Sequence, residues 1–283
     1  MTALRLGTRG SALALAQTRI AAEALGAEVE TRVISTAGDA SSKPFHELGD
    51  GVFVTAIEDA LRVGEIDAAV HSLKDLPTGD RPGLVIAAVL PREDPRDVLI
   101  TSARGGLATL PQGARVGTSS PRRDSALRRL RPDITTAPIR GNVETRLAKV
   151  ARGDYDATVL ALAGLRRLGL TVGDREILEL ELMLPAPGQG AIAVQCRADD
   201  GAARDRLAAI DDAPTRAATD AERELLRLIG GSCELALGAL AIVSGGDITL
   251  DASIDGRRIR LRGPDPFALA RLAAAELGAR HAV

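Results

Sequence analysis

Aromatic side chains are nearly missing from this chain of 283 residues: it has no Trp, a single Tyr at 155, and Phe only at 45, 53 and 267. A core must then be packed from Ala, Val, Leu and Ile. The stacking platforms that hold single-stranded nucleic acid are excluded, and so is a site that grips a flat ligand by stacking. A firmly held ligand must be held by charge and by backbone amides. Cysteine is as scarce: Cys196 and Cys233 are the only two, too few for a disulfide framework or a Cys-rich zinc site. The three histidines, at 46, 71 and 281, are far apart, and we expect no metal site. No apolar stretch nears the roughly 18 residues that span a bilayer; the run from Leu84 to Leu90 has the length of a buried strand. The N-terminal MTALRLGTRGS enters a strand pattern with no apolar signal region, so a cytoplasmic protein is expected, with no membrane partner.

What is present is an ordinary globular balance, 45% hydrophobic and 26% charged, which excludes a mainly disordered chain. The length exceeds one typical core, so two or three domains are expected. Charge is unevenly placed. Residues 115–152 carry ten Lys and Arg against three Asp and Glu, a net +7 in a chain whose total is −2. A local basic segment in an acidic protein points to an anionic small ligand more than to a bulk polyanion. Solvated helix faces would also account for individual arginines.

Short apolar runs alternate with helical patterns, the signature of an α/β fold. Strands are predicted near 4–7, 29–35, 67–71, 84–90, 115–117, 134–139 and 156–161, and helices near 11–25, 52–62, after Pro121, and 143–151. A polar, Gly-rich loop is predicted over 36–51. Beyond the apolar strand AIAVQC come helices near 203–210 and 215–228. A small antiparallel sheet follows (239–243, 248–254, 257–262), then a helix over 266–277. Asp265 is placed to cap that last helix, with Pro266 at its first position.

The chain repeats itself. GEIDAAVHSLKDL at 64–76 aligns with GDYDATVLALAGL at 153–165, matching at six of thirteen positions, and RLGTRGSALAL resembles RVGTSSPRRDSAL upstream. Two lobes with one βα order are expected, and paired α/β lobes bind ligand in the cleft between them. The repeat also localises chemistry. The second copy ends its strand with apolar Leu160 to Gly164, whereas the first carries His71, Ser72, Leu73, Lys74 and Asp75. Packing does not require those polar groups. An ion pair between Lys74 and Asp75 is the bland alternative.

GTRGS (7–11) and GTSSPRR (117–123) each set small residues and arginine between a strand and a helix, where free N–H groups and the helix dipole favour anions. Ser120 suits the N-cap and Pro121 the first turn. RGNVETR (140–146) adds Arg140 and Arg146. No Walker loop is present. Cys196 reads as a buried, inert thiol. Cys233, in the loop GGSC, reads equally as a buried thiol or as a nucleophile or attachment point. A non-catalytic anion-binding protein and a nucleic-acid binder using the +7 segment are the other classes the residues leave open.

Together, GTRGS, AAVHSLKDLP (68–77), REDPRD (92–97), GTSSPRR, RGNVETRL (140–147), DATVLALAGLRRLG (156–169), LPAPGQGAIAVQCR (184–197) and GGSC (230–233) resemble the porphobilinogen deaminase family. The resemblance implies a monomer with two lobes like type II periplasmic binding proteins and a small α+β C-terminal domain. The implied bounds are 1–91 with 191–210, 96–185, and 213–283. It implies a transferase that joins four porphobilinogen molecules into hydroxymethylbilane, with a dipyrromethane cofactor covalently held by Cys233. By the same resemblance Asp75 is the catalytic residue, a carboxylate. Lys74, Ser11, Thr118, Ser120, Arg122, Arg123 and Gly141 bind the cofactor, and Arg9, Arg140, Arg146 and Arg167 bind substrate. Two positions depart from the family pattern: Asp50 and Ala37 stand where relatives often carry basic residues.

Overall fold

The computed structural model describes residues 3–26, 28–36, 54–101, 105–171, 175–230 and 235–278. The predicted loop at 36–51, the departures at Ala37 and Asp50, and Cys233 lie wholly or largely outside them. In chain order the elements are β1 (Leu4–Thr8), α1 (Ala12–Leu25), β2 (Val29–Val33), α2 (Thr55–Arg62), β3 (Ala68–Ser72), β4 (Leu84–Val89), β5 (Asp97–Thr101), β6 (Arg115–Gly117), α3 (Pro121–Leu130), β7 (Thr135–Ala137), α4 (Val143–Ala151), β8 (Ala157–Ala161), α5 (Leu162–Arg167), β9 (Glu176–Leu178), β10 (Ile192–Arg197), α6 (Gly201–Ala208), α7 (Ala213–Leu228), β11 (Leu237–Ser244), β12 (Asp247–Ile254), β13 (Arg257–Gly263) and α8 (Pro266–Leu277). Short 3₁₀ turns cover Leu73–Asp75 and Leu107–Thr109.

Several helix starts carry side-chain caps. Ser11 accepts from Ala14 N at 3.2 Å, Asp200 from Ala203 N at 3.0 Å, and Asp265 from Phe267 N at 2.8 Å and Ala268 N at 3.0 Å. Pro121 and Pro266 occupy first turns as predicted, where their missing N–H costs nothing. Three elements lie where the pattern predicts none: β5, β9 and α5. The predicted strand over 134–139 shrinks to three residues because Pro138 cannot extend a ladder.

The chain divides into two compact units, 1–92 with 191–217, and 93–190 with 218–283. Unit 1 holds a five-stranded sheet ordered β2-β1-β3-β10-β4, and unit 2 one ordered β7-β6-β8-β5-β9. The expected α/β class holds, and the two sheets share one topology. In each, three parallel strands are followed by an antiparallel strand, β10 on β3 in unit 1 and β5 on β8 in unit 2. The registers coincide as well. Leu6 pairs with Ala68 and Gly7 with Ala69; at equivalent positions Val116 pairs with Ala157 and Gly117 with Thr158. Even the side-chain lock repeats: Asp67 accepts from Arg5 N at 2.9 Å and Asp156 from Arg115 N at 2.6 Å. The predicted internal repeat is thus a structural one.

Each core is aliphatic. Leu4, Leu6, Val70, Ala88, Leu90, Ile192, Val194 and Cys196 pack together in unit 1, and Leu99, Val116, Leu127, Ala157, Val159 and Leu178 in unit 2. Unit 2 also contains the antiparallel sheet β11-β12-β13, on which α8 packs. Both Arg258 (2.7 Å) and Arg260 (2.6 Å) pair there with Asp251.

The backbone at the end of β6 is crowded by its neighbours. A Cβ on Gly117 would sit 2.9 Å from Ile139 Cδ1 and 3.0 Å from the Tyr155 ring. Gly117→Ala should therefore destabilise by about 1–3 kcal/mol, read as a lower urea midpoint at unchanged slope.

Candidate active site

In unit 1 the polar residues singled out in the first repeat sit where β3 ends. The strand delivers Ser72 to the 3₁₀ turn Leu73–Asp75, with Leu73 buried, Lys74 half-buried and Asp75 exposed. The turn is anchored from two sides. Leu73 N donates to Ala191 O at 3.0 Å, and Gln17, buried on α1, exchanges hydrogen bonds of 2.8 and 3.1 Å with the Ser72 hydroxyl. Asp75 therefore stands on a fixed base while its carboxylate faces solvent. In the second copy the equivalent residues continue into α5, and Gly164 is buried.

Behind the turn lies a buried polar group. His71, 6% exposed, follows Val70 on β3. Burial pushes its pKa down to about 4; the Gln195 side chain pulls the other way, and the charge of Arg9 adds to the depression. Arg9 thus lies close enough to be felt at the base of the turn. Gln195 Nε2 donates to Glu58 Oε1 at 3.1 Å, and Glu58, buried on α2, faces Arg81 at 3.5 Å and Arg62 at 3.6 Å. Ser11 is engaged as the N-cap of α1.

In unit 2 the basic residues gather at two places. The first is the start of α3. Thr118 is buried, and its hydroxyl accepts from Ser120 N at 3.2 Å; Ser120 caps the helix through a long bond of 3.4 Å from Arg123 N. Sequence reasoning stood Arg122 and Arg123 beside the free helix amides, awaiting a ligand. The structure adds a partner that this reading missed. Asp97, fully buried at the start of β5, accepts from Arg122 Nη1 at 2.8 Å, Arg123 Nη2 at 2.7 Å and Gln189 Nε2 at 3.0 Å. Arg122 Nη1 also donates to Leu184 O at 2.6 Å. Burial alone would raise the Asp97 pKa; the two guanidiniums overcome that and hold it well below the usual carboxylate range. Burial in turn lowers that of Arg122, against the pull of Asp97. An Asp opening the apolar run DVLIT was the available signal, since an unpaired carboxylate cannot be buried.

The second place is the strand-end loop before α4. Gly141 adopts φ +108, and a Cβ there would lie 2.5 Å from Thr145, so only glycine fits. Arg146 Nε donates to Gly141 O at 2.8 Å and Lys149 Nζ to Arg140 O at 3.1 Å. Arg167 stands apart on α5, donating to Gly190 O at 2.6 Å; burial pushes its pKa down to about 10, against Glu93.

Cys196 is fully buried in β10, and burial raises its thiol pKa, in line with an inert thiol. Among the described residues, no three His, Cys, Asp or Glu side chains are grouped to hold a metal ion, and no helix is long and apolar enough to cross a membrane.

The family model described as porphobilinogen deaminase, dipyromethane cofactor binding domain, matches residues 4–205. Curated proteins named porphobilinogen deaminase align over most of the chain. That of Nocardia farcinica is 52% identical, covering 86% of this chain and 71% of its own length. That of Acidothermus cellulolyticus is 50% identical, covering 90% and 80%. Among solved structures, a Salmonella typhimurium periplasmic binding protein with high arginine specificity aligns at 15% identity, covering 74% of this chain and 92% of that one, with a TM-score of 0.39.

The buried histidine yields a pH dependence. Folded His71 gives up its proton at about 4, against 6.5 ordinarily. In that window the unfolded chain binds a proton that the folded one does not, so stability is full above pH 6.5 and falls as pH drops toward 4. The expected loss is about 3 kcal/mol, measured as the urea-unfolding free energy at points across the window. His71→Gln should flatten the dependence; an unchanged slope would assign the loss to other groups. Asp97 acts lower, since its depressed pKa keeps its contribution intact until the pH falls below about 4.

Proposed function

The chain belongs to the porphobilinogen deaminase family, and from that membership we propose how its residues divide the work. The enzyme is a hydroxymethylbilane synthase, a transferase that joins four porphobilinogen molecules head to tail, with release of ammonia, in tetrapyrrole biosynthesis. The observation that carries the assignment of roles is the span of the family match, residues 4–205, which contains every site residue named above except Cys233. We take the enzyme to be a cytoplasmic monomer. We take its domains as 1–91 with 191–210, 96–185 and 213–283.

The family's dipyrromethane cofactor and its substrate carry acetate and propionate side chains, so the chain must offer cationic donors. The cluster at α3 fits such a group. Two guanidiniums face one internal carboxylate, and the buried Nε atoms of Arg122 and Arg123 have no hydrogen-bond partner. In our reading Arg122, Arg123 and Lys74, with Ser11, Thr118, Ser120 and Gly141, hold the cofactor's carboxylates. Arg9, Arg140, Arg146 and Arg167 hold those of porphobilinogen. Charge-assisted hydrogen bonds of this kind contribute about 1.5–3 kcal/mol each. Cys233 is the covalent anchor, through a thioether. When bound, the cofactor supplies the pyrrole terminus to which units are added.

Asp75 performs the electrostatic work. Loss of ammonia from the aminomethyl group of porphobilinogen leaves a cation spread over the pyrrole ring and its N–H. A carboxylate on an anchored turn can accept that N–H and stabilise the charge as it develops, without reorganising. The exposed position of Asp75 suits this, because the side chain can meet substrate without first giving up an internal partner.

Asp75→Asn should lower turnover by about 10² to 10³-fold, measured as ammonia released from porphobilinogen, in a protein that folds normally. Near-normal turnover would remove Asp75 from the role. Intact mass tests the anchor. The purified protein should exceed its sequence mass by two pyrrole units; Cys233→Ala should abolish the excess and Cys196→Ala should keep it. The reverse pattern would move the anchor to Cys196.

A further inference from the structure

No role toward cofactor or substrate has been given to the acids of REDPRD at 92–97, yet all of them are engaged within unit 2. Glu93 pairs with Arg166 at 2.7 Å and Asp94 with Arg96 at 2.9 Å, both partly exposed. Asp97 differs. It is fully buried and lies between Arg122 and Arg123, themselves 6% and 8% exposed. Gln189 Nε2 donates to the same oxygen as Arg123, and also to Pro95 O at 2.7 Å. Stability alone is a poor reason for this arrangement, because burying three charges costs more desolvation than well-packed apolar side chains would. The charges do not cancel either. Two guanidiniums against one carboxylate leave the cluster at +1, with two buried Nε donors unused.

We propose that Asp97 is a positioning residue: it fixes the Arg122 and Arg123 guanidiniums in one arrangement and holds the pair at a net charge of +1, so that together they receive one ligand carboxylate. This rests on the reading that these arginines hold a ligand carboxylate. Fixing them in advance removes the entropy of ordering two long side chains when the ligand arrives. The internal carboxylate also prevents the two like charges from separating. Gln189, on the segment 184–190, adds a second donor to the carboxylate oxygen that Arg123 holds.

The test uses the full-length protein. Asp97→Glu keeps the charge and moves it by one methylene; Asp97→Asn keeps the shape and removes the charge; Arg123→Leu is the reference for the parent reading. Thermal unfolding, intact mass, and kcat and KM for ammonia release from porphobilinogen are measured at low and high salt, per cofactor-loaded molecule. A folded Asp97→Glu should lose about tenfold or more in kcat/KM, the effect of one misplaced charge-assisted hydrogen bond. Asp97→Asn, with the cluster at +2, should show a steeper salt dependence of KM than wild type. A merely structural Asp97 would lower the unfolding temperature and leave both quantities unmoved. Folded Asp97 variants with wild-type kcat/KM and salt dependence, beside an impaired Arg123→Leu, would overturn the proposal alone. An unimpaired Arg123→Leu would overturn the parent reading with it. If neither Asp97 variant folds, NMR of the wild-type guanidiniums decides: separate Nη signals for Arg122 and Arg123 support fixed side chains, and averaged signals overturn them.

Discussion

A carboxylate stripped of water must be surrounded by donors, and Asp97 meets that demand by drawing three side chains from two distant stretches of unit 2. The ionised form survives because the guanidiniums of Arg122 and Arg123 outweigh the desolvation that burial imposes. Much else follows from this requirement. The first turn of α3 is oriented so that two consecutive arginines both reach inward. Gln189 must come close, and that pins the segment 184–190, which the rest of the unit also grips. Arg122 holds Leu184 O, Ala239 N donates to Pro185 O, Glu222 accepts from Gly188 N, and Arg167 holds Gly190 O. The motif LPAPGQG is thus an irregular strap whose backbone polar groups find their partners in side chains and in isolated backbone contacts rather than in a ladder.

The doubled architecture shows how one βα pattern comes to serve different ends. Both sheets lock the first strand to the third in the same register, and both use an Asp side chain to catch the backbone N–H of the first strand. Where the third strand ends, the copies part. In unit 2 the chain continues into a short helix with Ala163, Gly164 and Leu165 buried. In unit 1 it stops in a single turn that lifts Asp75 into solvent. The scaffold is common; the exposed carboxylate is the addition.

Unit 1 handles its own buried polar groups by neutrality as well as pairing. His71 is uncharged when folded, so no counter-ion is needed beneath the turn, whereas Glu58 is met by Gln195 and two arginines at longer range. The result is a stiff floor under Lys74 and Asp75.

Local patterns in the sequence were enough to determine the α/β class, the caps at Ser120 and Asp265, and the internal repeat; the cap at Ser11 and the shared strand register came from the structure. Each of the former rests on neighbours within a turn or on strand periodicity, where side-chain chemistry acts directly on the backbone. They also singled out Lys74 and Asp75, because the second copy shows what packing alone requires there. Three elements escaped. β5 and β9 are short, and their identity comes from pairing with each other and with β8, not from their own pattern. α5 continues straight from a strand with no side-chain cap. The deeper omission was the partner of Arg122 and Arg123. The basic segment was visible as charge, but Asp97 lies 25 and 26 residues before the two arginines, and nothing in the intervening sequence links them. Only folding brings β5 beside the start of α3, and only there does a lone Asp in an apolar run acquire the two cations that allow it to stay charged out of water.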